Sequence, residues 1–219
     1  MRIQGLIFDL DGTLLNTLDD IADSWNTVLE KRGYPTHPVS SYRYFVGEGA
    51  ENLAHKVIPE TIHDEKIIEA CLSDWKNIYS SHWNVKTTLY DGIASTLQVL
   101  KSKDLSLSVL SNKYHEMTKK MVEYFFGKSI FNCILGAGQF AKKPDPQAAE
   151  FIARNQSISP EHFLFLGDSG IDMQTASAAG MHAAGVLWGF RDEKELLKNG
   201  ANYLLKEPAD LISLVEKII

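Results

Sequence analysis

Five short segments, most of them apolar throughout, divide this chain of 219 residues. They are rich in branched side chains and cover residues 4–8, 105–110, 131–135, 163–166 and 183–188. Strands that are apolar on both faces are typical of a parallel sheet covered by helices on both sides. Helical periodicity follows at residues 91–103, 116–126, 146–155 and 171–179. This alternation predicts an α/β fold with a doubly wound parallel sheet.

The first apolar segment is followed by a long region, residues 15–89, with helical patterns but no convincing strand. Helices are predicted over residues 19–32, 40–57 and 63–83, with a break in the second expected at Gly47 and Gly49. Such a region is too long for a loop inside a compact domain. The sequence therefore predicts a core domain of residues 1–15 and 88–219 and an inserted all-helical cap domain of residues 16–87.

The composition is that of an ordinary soluble globular protein, with 44% hydrophobic and 23% charged residues. No apolar run reaches the roughly 18 residues needed to span a bilayer, and no signal peptide is recognisable. Cys71 and Cys133 lie in apolar surroundings, which favours buried thiols and a cytoplasmic location. A net charge of −6 without a basic block argues against nucleic acid or a membrane surface as partner. Monomer and homodimer both remain open.

The first apolar segment ends in Asp9-Leu10-Asp11-Gly12-Thr13. In an extended chain, Asp9 and Asp11 point to the same face. Two adjacent buried carboxylates are costly unless a cation or a proton lies between them. A simple turn would explain an aspartate and a glycine, but not two aspartates at the end of a buried strand. The motif therefore predicts a metal, proton chemistry, or both.

Three further polar segments carry candidate site residues, and two of them directly follow predicted strands, where ligands bind in open parallel sheets. They are Ser111-Asn112, Lys142-Lys143-Pro144-Asp145-Pro146 and Gly167-Asp168-Ser169-Gly170-Ile171-Asp172. Taken alone, Ser111 and Asn112 could be helix caps and Lys143 a solvated lysine. An N-cap would explain one of the two aspartates Asp168 and Asp172, but not both. Together the segments predict a single site.

These four segments, in this order, resemble the haloacid dehalogenase-like hydrolase superfamily, in its capped phosphatase branch. The resemblance covers the whole chain and is greatest to phosphoglycolate phosphatase-like enzymes. Val46-Gly47-Glu48-Gly49 and Gly189-Phe190-Arg191 add weak support. The resemblance implies a Rossmann-like core with a helical cap, and a small phosphorylated metabolite as the substrate.

The resemblance also implies catalytic roles. Asp9 would be the nucleophile that forms an aspartyl-phosphate, and Asp11 the general acid and then the general base. Lys143 would neutralise phosphate charge and hold the carboxylates. Ser111, with the backbone of Asn112, would bind phosphate oxygens.

The implied cofactor is Mg²⁺, which prefers oxygen ligands. Its predicted ligands are Asp9, Asp168 and the backbone carbonyl of Asp11, with Asp172 binding either directly or through water. The remaining predicted contacts to the phosphate or substrate are the close backbone approach at Gly12, the hydroxyl of Thr13, and Arg43 in the cap.

Several alternatives stay open. A phosphosugar mutase such as β-phosphoglucomutase uses the same aspartyl-phosphate, and a pyrophosphatase of the same superfamily is a third possibility. A non-catalytic binding protein on this scaffold is disfavoured, because every predicted catalytic position is occupied by a suitable residue. Asp11 argues against dehalogenation, since a halide leaving group needs no proton.

Overall fold

A computed structural model describes residues 2–62 and 64–218. The strands are, in chain order, β1 (Gly5–Phe8), β2 (Leu15–Asn16), β3 (Thr88–Leu89), β4 (Ser106–Tyr114), β5 (Cys133–Ala137), β6 (Phe163–Gly167), β7 (His182–Val186) and β8 (Tyr203–Leu205). The helices are α1 (Leu18–Lys31), α2 (Val39–Phe45), α3 (Ala50–Val57), α4 (Glu65–His82), α5 (Ile93–Ser102), α6 (His115–Phe126), α7 (Gln147–Asn155), α8 (Gly170–Ala178), α9 (Glu193–Lys198) and α10 (Asp210–Ile218). A short 3-10 helix, Pro160–His162, precedes β6.

The central sheet contains six parallel strands in the order β5-β4-β1-β6-β7-β8. β1 is buried throughout, and its side chains alternate between two apolar clusters: Leu6 and Phe8 in one, Ile7 in the other. Leu97 of α5 and Met121 of α6 belong to the first cluster. The second contains apolar residues of α7 and α8. The predicted doubly wound α/β fold is therefore confirmed.

The five predicted strands are present, but the C-terminal region was incompletely predicted. β8, α9 and α10 were not foreseen, although β8 extends the sheet beyond β7. β4 is also longer than its predicted segment, so Ser111 and Asn112 lie inside the strand instead of following it. They still lie at its carboxyl end, because β1 pairs with β4 only as far as Val109.

The inserted region forms α1–α4, here called the cap; the remainder, apart from β2 and β3, is called the core. β2 and β3 are the two connections between them, and they pair antiparallel, with Leu15 opposite Leu89. The expectation of no strand between residues 15 and 89 was wrong here, because two-residue strands leave no periodic pattern. The predicted break at Gly47 and Gly49 separates α2 from α3. The exact domain boundaries stay a prediction.

The cap has its own aromatic core. Trp75 stacks on Trp25 with ring centroids 5.5 Å apart, and on Tyr79 at 4.9 Å. Trp25 is fully buried between α1 and α4, which explains the concentration of tryptophan in this region. His63, where the predicted third helix begins, lies outside the described residues, and α4 starts at Glu65.

The helices and the two cysteines bear on membrane insertion and on disulfide bonding. Among the described residues, no helix combines the length and apolarity needed to cross a bilayer. Cys71 is buried in α4, Cys133 is partly buried in β5, and both are free thiols.

One buried carboxylate joins the cap to the second connection. Asp20 of α1 accepts hydrogen bonds from Lys86 N at 2.9 and 3.0 Å, from Thr87 N at 2.8 Å and from the Thr87 hydroxyl at 2.7 Å. Asp20 and Thr87 are both buried. Asp20 therefore fixes the chain just before β3 to the first cap helix.

We expect Asp20→Ala to lower the free energy of unfolding by about 2–4 kcal/mol, because it leaves buried donors without an acceptor. Urea denaturation measures the change. Asp19→Ala is the matched control: Asp19 is only partly buried, and its loss is expected to cost less than about 1 kcal/mol. Equal losses in the two variants would contradict the role given to Asp20.

Candidate active site

The polar residues singled out in the sequence meet at one edge of the sheet. Phe8, the last residue of β1, is paired with Val109 of β4 and with Leu166 of β6. The residues that follow these positions therefore lie side by side. Asp9 donates its backbone N–H to the Leu166 carbonyl at 2.9 Å, which places it next to Asp168.

Asp9, Asp168 and Asp172 form a buried carboxylate cluster, with one oxygen from each within 4.8 Å of the others. Lys143 Nζ lies 2.9 Å from Asp9 Oδ1 and 2.6 Å from Asp172 Oδ1. The second oxygen of Asp172 accepts bonds from the backbone and hydroxyl of Ser169, forming a capping box at the start of α8. Lys143 is therefore a buried partner of two carboxylates, and the solvated-lysine alternative is wrong.

With all three carboxyl groups ionised, the cluster would carry more negative than positive charge. Burial raises the pKa of Asp9 to about 7, although the nearby Lys143 ammonium by itself would lower that pKa. Burial and the neighbouring Asp172 raise the pKa of Asp168 well above its ordinary value. Burial alone would lower the pKa of Lys143, but attraction to Asp172 and Asp9 raises it overall. Within the described residues, two of the three carboxyl groups are thus paired with the Lys143 ammonium, and Asp168 is not.

The residues present fit a divalent cation. All the donors are oxygens, the set that Mg²⁺ prefers, and an added cation would balance the excess charge. Asp9 Oδ1 is buried and, within the described residues, accepts no well-formed hydrogen bond beyond its ion pair with Lys143. Asp168 Oδ2 accepts one bond, from Phe190 N at 2.7 Å. Asp9 and Asp168 are the best placed to bind a metal, since Asp172 is already occupied by Lys143 and Ser169.

Asn112 organises the backbone around Lys143. Its Oδ1 accepts from Lys143 N at 2.8 Å, and its Nδ2 donates to the carbonyls of Lys143 and Gly47, each at 3.0 Å. The Ser111 hydroxyl accepts from Lys113 N at 3.2 Å. Neither side chain caps α6, so the capping alternative is wrong for both residues.

Asp11 is placed differently from its neighbour Asp9. β1 ends at Phe8, so the two aspartates do not share a strand face, and the Asp11 carboxylate lies outside the three-carboxylate cluster. Both of its oxygens lie 2.9 Å from Lys113 Nζ. Sequence reasoning missed Lys113, although it stands two residues after Ser111 in β4, a spacing that puts both on one strand face.

Gly12 and Thr13 occupy tightly packed positions. Gly12 has φ +82°, and a Cβ there would lie 2.2 Å from Asp168 Oδ2. The Thr13 carbonyl accepts from Trp188 Nε1 at 3.0 Å, and its hydroxyl has no hydrogen-bond partner in the described part of the chain. Whether Thr13 contacts a ligand stays a prediction.

Arg43 lies at the boundary between cap and core, and it is not one of the residues that line the cavity above Asp9. It donates to the carbonyls of Phe190 at 3.1 Å and Gly189 at 3.0 Å. Arg191 reaches in the opposite direction, to the cap carbonyl of Val46 at 2.9 Å, and it does line the cavity. The cap arginine predicted to face the substrate is thus bound to backbone carbonyls.

The cavity has a polar floor and an apolar roof. Its floor contains Asp9, Asp11, Ser111 and Asp168 from the core. Its roof is built by cap residues, among them Ile21, Val46, Leu53 and Trp75. The cavity volume is about 50 Å³, so with the cap in this position only a small ligand fits. Glu51 of α3 binds Lys142 and the Tyr114 hydroxyl of the core, which adds a polar contact beside the roof.

Comparison with known proteins agrees with this architecture. The family model for haloacid dehalogenase-like hydrolases matches residues 6–186. A phosphoglycolate phosphatase of Aquifex aeolicus is 30% identical over 220 residues, covering 100% of this chain and 99% of that protein. A phosphoglycolate phosphatase of Pseudomonas putida is 29% identical over 190 residues, covering 84% of this chain and 70% of that protein. A crystal structure from Lactobacillus delbrueckii subsp. bulgaricus superposes with a TM-score of 0.92 at 27% identity, covering 98% and 99% of the two chains.

The parallel sheet, the inserted helical cap and the carboxylate cluster define a capped α/β hydrolytic enzyme. The chain belongs to the haloacid dehalogenase-like hydrolase family. The predicted family is therefore confirmed.

Gly12 provides a test of the crowding around Asp168. We expect Gly12→Ala to destabilise the protein by about 1–3 kcal/mol more than Gly33→Ala, measured by urea denaturation. Both glycines have positive φ, so both variants share the backbone strain, but a Cβ on Gly33 would meet no atom within 4 Å. Equal destabilisation would show that Asp168 moves aside freely.

Cation binding provides a second test, read out by thermal unfolding. Mg²⁺ at about ten times its Kd stabilises a protein by about 1.4 kcal/mol, which raises Tm by about 3–6 °C for a chain of this size. We expect the rise to be larger at pH 8 than at pH 6, because Asp9, with a pKa of about 7, must lose its proton to bind metal.

In the same experiment, Asp168→Asn is expected to remove most of the Mg²⁺-dependent rise without lowering Tm in metal-free buffer. The reason is that the substitution removes a carboxyl whose charged form is disfavoured by burial. Asp91→Asn, at an exposed position, is the matched control and should respond as the wild type does. A full Mg²⁺ response in Asp168→Asn would place the metal elsewhere.

Proposed function

We propose that this protein is a Mg²⁺-dependent phosphatase that hydrolyses a small phosphate monoester, of the phosphoglycolate type, through an aspartyl-phosphate on Asp9. The observation that carries the proposal is the environment of Asp9: a buried carboxylate at the floor of a small cavity, beside Asp168, Asp172 and the Lys143 ammonium. The names of the similar proteins support the substrate class. The free thiols support a cytoplasmic location.

The first chemical problem is repulsion between Asp9 and the phosphate dianion. Two unit charges about 4 Å apart at an effective dielectric near 20 interact by about 4 kcal/mol. Bound Mg²⁺ would supply the positive charge that offsets this repulsion, held by Asp9, Asp168 and the carbonyl of Asp11, with Asp172 nearby. Lys143 contributes a second positive charge and holds Asp9 Oδ1 in one orientation.

In the proposed first step, an oxygen of Asp9 attacks phosphorus and the bond from phosphorus to the ester oxygen breaks. Asp11, which lines the same cavity, would enter this step as the neutral acid and give its proton to the departing oxygen, which leaves Asp11 as a carboxylate. In the second step Asp11 takes a proton from water, which attacks phosphorus and releases inorganic phosphate from Asp9. The Ser111 hydroxyl, also on the cavity wall, binds a phosphate oxygen in both steps.

The cap would contribute selectivity and protection from bulk water. Its apolar side chains cover the site, so the reacting groups are separated from solvent while the cap is in place. The small cavity favours a small leaving group over a sugar.

We expect Asp9→Asn to reduce Mg²⁺-dependent hydrolysis of 2-phosphoglycolate by a factor of at least about 10⁴, because the amide cannot attack phosphorus. Released inorganic phosphate measures the rate. Acid-quenched mass spectrometry should show one added PO₃ group on wild-type Asp9 during turnover and none on the variant.

Asp91→Asn again serves as the matched control and should keep wild-type activity. Hydrolysis by Asp9→Asn at an undiminished rate would contradict the assignment of Asp9 as the nucleophile. Conversion of a sugar phosphate to its isomer, without release of inorganic phosphate, would favour the mutase alternative.

A further inference from the structure

Lys113 is a buried cation that the proposed mechanism does not use. Its ammonium group lies 2.9 Å from both oxygens of Asp11, and the two side chains are only 7% and 12% exposed. Lys113 also lines the cavity. A bond to each oxygen restricts the rotation of the carboxylate, so the orientation of Asp11 depends on Lys113.

The surroundings of Lys113 come from both cap and core. Its backbone N–H is bound to the Ser111 hydroxyl on β4. Its Nζ lies 5.0 Å from the centroid of the Tyr79 ring, which belongs to cap helix α4. Tyr79 in turn stacks on Trp75, part of the aromatic core of the cap. The ion pair is therefore enclosed by an aromatic face that is present only when the cap lies over the core.

We propose that Lys113 is the positioning residue for Asp11, and that Tyr79 holds Lys113 in place when the cap covers the site. The inference rests on the proposed function, in which Asp11 gives a proton to the leaving oxygen and is left as the carboxylate that Lys113 binds. Lys113 acts through Asp11 and needs no contact with the phosphate.

The leaving group distinguishes this role from a general structural one. An alkoxide is a poor leaving group and needs a well-placed proton donor, whereas p-nitrophenolate leaves readily without one. A residue that only supports the fold should affect both substrates alike. A residue that positions Asp11 should affect the alkyl ester more.

The experiment measures kcat/KM for 2-phosphoglycolate and for p-nitrophenyl phosphate in the full-length, Mg²⁺-loaded enzyme. Asp11→Asn should lower the value for the alkyl ester by about 10²–10⁴-fold and that for the aryl ester much less. Lys113→Met should lower the alkyl-to-aryl ratio at least about tenfold. Lys113→Arg should recover most of the ratio, because arginine can still bind both carboxylate oxygens.

Tyr79 has a matched pair of variants. Tyr79→Phe keeps the aromatic face and should keep the wild-type ratio, whereas Tyr79→Leu removes the face and should lower the ratio about threefold. If Lys113→Met does not fold, as judged by thermal unfolding, this pair and Lys113→Arg still decide the question. A ratio that is equal in Tyr79→Leu and Tyr79→Phe would contradict the role given to Tyr79.

The double variant Asp11→Asn with Lys113→Met separates the possible outcomes. If Lys113 acts through Asp11, the double variant has the same ratio as Asp11→Asn alone. A Lys113→Met variant that slows both substrates equally would overturn the inference and leave the proposed function standing. If Asp11→Asn itself spares the alkyl ester, the proposed role of Asp11 fails, and the inference fails with it.

Discussion

Crowding of like charges at the end of β1 and β6 is the constraint on which the active-site region depends. Asp9, Asp168 and Asp172 are buried within a few ångströms of one another, and in the part of the chain that the structure describes Lys143 is the ammonium bound to two of them, Asp9 and Asp172. Such a group is stable only when further positive charge or protons are available. The packing around the cluster is also tight, for example at Gly189, where a Cβ would lie 2.2 Å from the Cβ of Asp168.

The sequence predicted the parts of the fold that leave a local pattern. Buried parallel strands are apolar on both faces, so the segments that became β1 and β6 were recognisable without any knowledge of their partners. The carboxyl ends of such strands meet at one edge, so the polar residues after them could be assigned to a single site. Asp9, Lys143 and Asp168 do meet there. Their chemical roles stay predictions.

Contacts between distant segments left no such pattern. Lys113 meets Asp11 across 102 positions in the chain, and Arg43 meets Phe190 across 147. Lysine and arginine are most often solvated, and although Lys113 shares a strand face with Ser111, nothing local indicated which distant residues Lys113 and Arg43 contact. The same holds for Asp20, whose donors lie beyond the whole length of the cap. β2 and β3 were missed because two residues are too few to show a period.

The bonds of Asn112 show how the two parts of the molecule depend on each other. Two of them go to the backbone of Lys143 within the core, and only one goes to the cap, at Gly47. Lys143 and the three carboxylates of the cluster all belong to the core, and none of them belongs to the cap. The three-carboxylate cluster and Lys143 would therefore keep their arrangement if the cap moved away, whereas the surroundings of Lys113 and Asp11 would change with it. Replacing the cap would exchange the walls of the cavity without rebuilding the carboxylate cluster in its floor. A lineage of such proteins could change substrates through its helices while the chemistry at the strand ends stayed the same.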